Sequence, residues 1–292
     1  MVTPRTPVEC VRAAQRRCLD APQATGLRTD VLTNRAASVA FLCYHSISNP
    51  GPPYLSVGAE LFERQLAWLR RAGWETGSSA QLNELLGGRR AASRTAFLTF
   101  DDGYLDTYTS ALPLLRAYNA RAIVFVLPPV VDTGERLAWP EVDVQRQRYP
   151  HVMQSMTWSM LEELASAGVE IGSHGLSHQH LDRLEPDELH EELLDSRRAI
   201  SERIGDCRTL AYPFGDWSPR VAAAAAETGY EFAFTIPSVG QWRATRWSIP
   251  RIPVDHRDQE WRFALKLSAS GRSLLLSPVR TLRTRWRKAD RG

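Results

Sequence analysis

Cysteine is scarce, and its spacing excludes two classes of protein. The four cysteines stand at positions 10, 18, 43 and 207 and none forms a Cys-x-x-Cys pair, so neither a thiolate zinc site nor a disulfide framework is expected. Cys43, inside an apolar run, reads as a small core residue. No stretch approaches the ~20 apolar residues of a membrane-spanning helix. Residues 1–35, rich in Arg, Thr, Pro and Ala, hold no apolar run of the secretory-signal kind, so a cytoplasmic location is expected. A net charge of +3 is too small to argue for nucleic acid. The local exception is Arg280, Arg283, Arg285, Arg287, Lys288 and Arg291, a run that reads as a solvated tail, or as a peripheral contact with anionic lipid at the inner membrane face. No glycine-rich phosphate fingerprint follows the first apolar run, which weakens a dinucleotide-binding fold. No internal repeat is present.

What remains is an ordinary soluble composition, 43% apolar and 24% charged over 292 residues, enough for one large α/β domain or two small ones. Ser38–Tyr44, Ala96–Phe100, Ala122–Leu127, Val169–Ser173, Thr209–Tyr212, Phe232–Ile236 and Trp247–Ile249 read as buried strands. Helical spacing predicts helices over 60–71, 79–86, 106–118, 159–167, 186–204 and 219–228, with Gly73 and the Gly87-Gly88 pair as stops. Residues 128–157, with Trp139 and His151, have no clear period and are expected to form a lid or rim. Alternating strands and helices argue a parallel architecture, with a distorted (β/α)7-type barrel preferred over an open doubly wound sheet. The expected organisation is an extension over 1–35, one domain over 36–260 and a basic tail over 261–292.

The stretch Ala96-Phe-Leu-Thr-Phe-Asp-Asp-Gly-Tyr104 runs a buried strand into two acids. Read alone, Asp-Asp-Gly is a turn; at a strand's C-terminal end it is where barrel enzymes place their chemistry. Alternation would point Asp101 and Asp102 to different sides. The second block, Val169-Glu-Ile-Gly-Ser-His-Gly-Leu-Ser-His-Gln-His-Leu181, sets His174 and His178 four apart, the spacing of one helical face. His180 would then face elsewhere. Two imidazoles and a carboxylate suit one divalent ion, Zn²⁺ first, with Co²⁺, Ni²⁺ and Mn²⁺ as alternatives.

From about residue 38 to 255 the chain resembles the NodB-type polysaccharide deacetylases, carbohydrate esterase family 4. Thr99–Gly103 is the family's Thr-Phe-Asp-Asp-Gly motif, and His174–His178 is its His-[Ser/Thr]-x-x-His motif, with Gly175 in the Ser/Thr position. Ala211-Tyr-Pro-Phe214 matches Arg-x-Pro-[Phe/Tyr] without the arginine. The resemblance implies a NodB-type barrel in which Asp102, His174 and His178 hold the metal. Asp101 would be the general base and the Phe214 backbone N–H the oxyanion donor. The arginine that orients the base in the family would need a substitute, and Arg251 in Pro250-Arg-Ile-Pro-Val is the candidate. The family's late Leu-x-His acid is also absent. Tyr44-His45 resembles the N-terminal Tyr-His motif of the permuted branch related to poly-N-acetylglucosamine deacetylases, which makes His45 the expected acid; His256, with Asp255 to orient it, is the alternative. Tyr104, Tyr212 and Pro213 are the remaining residues expected around oxyanion and substrate. Trp217 and Trp139 are expected to stack on a sugar, and Trp68 and Trp158 to pack in the core.

The implied activity is removal of the N-acetyl group from an N-acetylhexosamine in a polysaccharide, an oligosaccharide or a lipid-linked precursor. Two alternatives stand beside it: hydrolysis of a non-sugar amide on the same site, and a non-catalytic carbohydrate-binding relative.

Overall fold

Apolar runs of four to seven residues make most of the sheet, because strands covered on both faces need no polar alternation. The computed structural model describes residues 38–86, 93–131, 137, 139–236 and 245–268. The 1–35 extension, the Gly87-Gly88 pair and the arginine run lie outside the described residues. In chain order the main elements are β1 (Val39–Tyr44), α1 (Ala59–Arg71), β2 (Trp74–Thr76), α2 (Ser79–Leu86), β3 (Arg94–Phe100), α3 (Leu112–Ala117) and β4 (Ile123–Val126). There follow α4 (Asp143–Arg148), α5 (Trp158–Ser166), β5 (Glu170–Ser173), α6 (Pro186–Arg203), β6 (Thr209–Ala211) and α7 (Pro219–Glu227). The last are β7 (Phe232–Thr235), β8 (Ile249–Pro250), β9 (Ile252–Pro253) and α8 (Glu260–Leu267).

Every pairing between the named strands is parallel, and the sheet runs β8-β7-β6-β5-β4-β3-β1-β9. Short β2, which sequence periodicity does not reveal, pairs with the start of β3 while β4 takes its end. Only Arg251 separates β8 from β9. The strand pairs with β7 up to Pro250 and with β1 from Ile252, so one kinked segment nearly closes the barrel. The expected distorted (β/α) barrel is what the chain forms.

Strand alternation divides the core into two layers. Phe41, Phe97, Phe125 and Phe234 point inward with Val39, Ile123, Ala211 and Ile249. Phe41 and Phe97 stack at 4.9 Å, and Phe125 meets Phe234 at 5.6 Å. Leu82, Leu85 and Leu86 of α2 join this cluster. Leu42, Leu98, Phe100, Val124 and Leu210 face outward and pack beneath the helices, among them Leu61, Phe62, Leu66 and Leu69 of α1. Gly73 ends α1 at φ 71°, a left-handed position that glycine adopts without steric cost. The expected helix from 106 opens instead as a π-helical turn over Thr107–Ala111, with Pro113 at the point where it passes into α3.

The packed unit also continues past residue 260, where the basic tail was expected to begin. Phe263 is fully buried and meets Trp68 edge-on at 5.8 Å, and Lys266 donates to Pro253 O and Asp258. An amphipathic helix of eight residues was hidden in sequence by its charged neighbours.

Candidate active site

Inward-facing positions carry on beyond the phenylalanine layer. In phase with Phe41 come Cys43 and His45; in phase with Phe97 come Thr99 and Asp101; in phase with Ile249 comes Arg251. Together they form a polar layer at the C-terminal end of the barrel. Arg251 has no exposed surface. Its Nη1 donates to Asp101 Oδ1 at 2.6 Å and to Thr99 Oγ1 at 2.9 Å, and its Nη2 donates to Asp101 Oδ2 at 2.8 Å. Cys43 Sγ lies 3.4 Å from the same Oδ2, and His45 Nε2 lies 4.0 Å from it. Burial pushes the Asp101 carboxyl up, but Arg251 and then His174 outweigh it and hold the group below its ordinary range. Asp101 is therefore a carboxylate at neutral pH.

Asp102 is not the next rung of the strand. Its φ is 69°, and this left-handed turn swings its carboxylate to the other side of the layer. Asp102 Oδ1 lies 3.2 Å from His174 Nε2 and 3.4 Å from His178 Nε2. Burial raises the Asp102 carboxyl, but hydrogen bonds from both imidazoles leave it well below the usual carboxylate range. The two histidines do not share a helical face, as their spacing predicted. They follow β5 on an irregular loop with Gly175 at φ 82° and His178 at φ 56°, and these left-handed steps fold the rings together at 5.0 Å.

That loop is held from behind by α6. Glu192 Oε1 accepts from Leu176 N at 2.8 Å and Ser177 N at 2.7 Å, and its Oε2 accepts from Ser177 Oγ at 2.9 Å. One turn on, Ser196 Oγ donates to Gly175 O at 2.8 Å and contacts Ser173 Oγ at 2.7 Å. Sequence reasoning missed both residues, though a signal was there: Glu192 and Ser196 interrupt the buried stripe Leu189, Leu193, Ile200.

The residues present fit a divalent ion. Asp102, His174 and His178 each offer one donor atom, all within 4.8 Å of one another. His174 Nδ1 lies 2.8 Å from Ala211 O. A carbonyl only accepts, so Nδ1 carries a hydrogen, and toward a metal ion Nε2 would be the nitrogen that gives up its proton and offers the lone pair. On the far side Trp139 stacks on His178 at 3.9 Å and Phe214 meets it edge-on at 4.5 Å.

A family model described as polysaccharide deacetylase matches residues 88–233, half of the chain. The chain belongs to that family. Among curated relatives, the Bacillus subtilis (strain 168) protein YxkH, named for polysaccharide deacetylase, is 27% identical over 207 residues, 70% of this chain and 67% of the relative. The poly-beta-1,6-N-acetyl-D-glucosamine N-deacetylase of Escherichia coli (strain K12) is 33% identical over 125 residues, 41% of this chain and 18% of the relative's length. Two solved structures share the fold. Streptococcus pyogenes deacetylase PplD in complex with acetate gives a TM-score of 0.65 at 22% identity, covering 76% of this chain and 94% of that one. IcaB from Ammonifex degensii gives 0.65 at 19%, covering 78% and 96%.

Against the family's motifs, the structure brings Asp101, Asp102, His174, His178, His45 and Arg251 to one end of the barrel. Phe214 joins them at φ 58°, in a turn closed by bonds from Gly215 N to Tyr212 O and from Asp216 N to Pro213 O. Other expectations need correction. Tyr104 and Tyr212 have no exposed surface, and the Tyr212 hydroxyl donates to Trp247 O; Pro213 is buried too. All three support the site from within instead of meeting a sugar. Trp139 is buried against His178, and Trp217 packs on the helix-side core. His256 is exposed beside Tyr54, and Asp255, expected to orient it, is engaged by Arg257 instead. His180 was not foreseen as a wall. Its ring stacks on Phe214 at 4.1 Å, and its Nδ1 lies 2.7 Å from Asp216.

Proposed function

We propose that the chain is a metal-dependent N-deacetylase that removes the acetyl group from an N-acetylhexosamine in a polysaccharide, an oligosaccharide or a lipid-linked precursor. The observation that carries this reading is the buried Asp102–His174–His178 set beside an aspartate clamped by Arg251. When bound, a divalent ion, Zn²⁺ being the best match to these donors, supplies a Lewis acid that lowers the pKa of water and polarises the amide carbonyl. Asp101 takes the proton of the attacking water at Oδ2, the oxygen nearer His45. The new C–O bond gives a tetrahedral oxyanion, to which the Phe214 N–H donates. His45 protonates the amine as the C–N bond breaks, and acetate leaves. Arg251 does for Asp101 what the motif arginine does in the family.

The test is acetate release from N-acetylglucosamine oligomers by metal-loaded protein. Asp101→Asn and His45→Ala are each expected to lower turnover by roughly 10²–10⁴-fold with metal still bound. Metal-loaded protein that releases acetate from simple amides but from no acetylated sugar would overturn the assignment.

A further inference from the structure

Beside the Asp102 set, a second group of donors converges at the same end of the barrel. Cys43 and His45 stand two apart where β1 ends, so strand alternation points both inward. Asp101 faces them from the end of β3. The β1–β3 register pairs Cys43 with Thr99, and Asp101 N donates to Tyr44 O at 3.0 Å. Cys43, His45 and Asp101 each offer one donor atom, and the three atoms lie within 4.8 Å of one another. Cysteine spacing argued against a thiolate site. The pairing of β1 with β3 builds one from a Cys-x-His pair and a distant carboxylate.

The separations suit a tetrahedral ion. With Zn–S of about 2.3 Å and Zn–N and Zn–O of about 2.1 Å, the edges between donors are about 3.4–3.6 Å. Cys43 Sγ lies 3.4 Å from Asp101 Oδ2, and His45 Nε2 lies 4.0 Å from the same oxygen. Only the partly exposed His45 has to close in, by about half an ångström. The Cys43 S–H now donates to Oδ2, and burial, by pushing the thiol up, keeps that proton on the sulfur. An ion replaces the proton: it leaves to water, and Sγ and Oδ2 each turn a lone pair to the metal. Arg251 keeps its bonds to both carboxylate oxygens. Its charge opposes hard cations such as Mg²⁺ or Ca²⁺, while the thiolate offsets that charge and selects a softer ion.

We propose that Cys43, His45 and Asp101 form a second, inhibitory site for Zn²⁺. The inhibition, though not the binding, rests on the deacetylase reading: an ion held there occupies the proposed base and the proposed acid together. The Asp102 set fills first, because none of its donors is a thiol that must lose a proton. Excess zinc then stops turnover with the first ion still in place.

The experiment titrates the metal-free full chain with Zn²⁺ and, in parallel, with Co²⁺. It follows bound metal by equilibrium dialysis, acetate release from N-acetylglucosamine oligomers, and the thiolate-to-cobalt charge-transfer band in the near ultraviolet. The first equivalent is expected to bring activity without the band. The second should raise the band and lower turnover by roughly 100-fold or more, since acid and base are both captured. Cys43→Ala should show no band, hold its own one-equivalent turnover through the second equivalent, and bind that equivalent at least about 10–100-fold more weakly. His45→Ala should weaken the second ion by a similar factor, which serves if Cys43→Ala misfolds. A band that survives Cys43→Ala overturns the site. So does a second ion bound without the band, as His180, Asp182 and Asp216 would hold it. Turnover unmoved by an ion that does show the band overturns the inhibition. Acetate from no oligomer at any loading overturns the deacetylase reading instead, and the band and the stoichiometry still judge the site.

Discussion

A guanidinium with no exposed surface needs a full set of acceptors, and Arg251 finds its main ones in Asp101 and Thr99. Each partner of such a pair depends on the other, since removing one leaves an uncompensated buried charge. Arg251→Met is therefore expected to destabilise the fold by about 3–5 kcal/mol, read as a lower urea midpoint. Arg251→Lys keeps the charge but loses the two-pronged grip on the carboxylate. It should fold, bind substrate with little change in KM and turn over about 10–100-fold more slowly. A lysine variant with full turnover would remove Arg251 from its positioning role. Arg251 could be named from the sequence because the third motif lacked its arginine and an isolated Arg stood in a late apolar run. Its contact with Asp101 could not be read there, because the two residues are 150 apart and meet only when the barrel closes.

At the scale of elements, what the sequence revealed follows the physics of each piece. Buried parallel strands and amphipathic helices leave strong periodic signals, and the expected spans are met within a residue or two except at α3, which begins at Leu112 behind a π-helical turn. Three-residue β2 and the kinked β8–β9 segment leave almost none. The geometry of the site is least legible, because it depends on left-handed backbone at Asp102, His178 and Phe214, a conformation non-glycine residues seldom take. The spacing of His174 and His178 suggested a helix; the answer was a loop propped by Glu192 and Ser196 of α6. That prop takes over from the motif position that Gly175 leaves without a side chain. A Cβ at Gly175 would also lie 3.1 Å from Glu192 Oε1. Glu192→Ala removes three acceptor contacts at once and frees the loop without touching a donor atom. The expected result is a metal dissociation constant raised about 10–100-fold, measured by competition with a chelator. Unchanged affinity would mean that the loop holds its shape alone.

For the molecule as a whole, gathering carboxylates at one end of a barrel makes stability depend on pH, with two opposed contributions. Asp101 and Asp102 are held below their ordinary range. What they contribute is present above the ordinary carboxylate pKa and is lost as acid protonates them. Asp106 behaves in the opposite sense: burial pushes it up to about 6, against the hydrogen bonds from Ser46 and Ile47. As pH rises from its unfolded value of 3.8 to about 6, the unfolded chain ionises first, so folded protein loses stability across that window. The loss is complete above it and amounts to about 1–3 kcal/mol. Asp106→Asn keeps an acceptor for the Ile47 amide and cannot ionise. The variant should match the wild type near pH 4 and exceed it by that margin at pH 7.5, compared by urea unfolding of metal-free protein. A gain of the same size at both pH values would place the effect in packing, not in charge. At neutral pH the wild type thus carries a destabilising carboxylate bonded to Ser46 and Ile47, the two residues that follow His45, a cost expected where a chain retains a polar group for function.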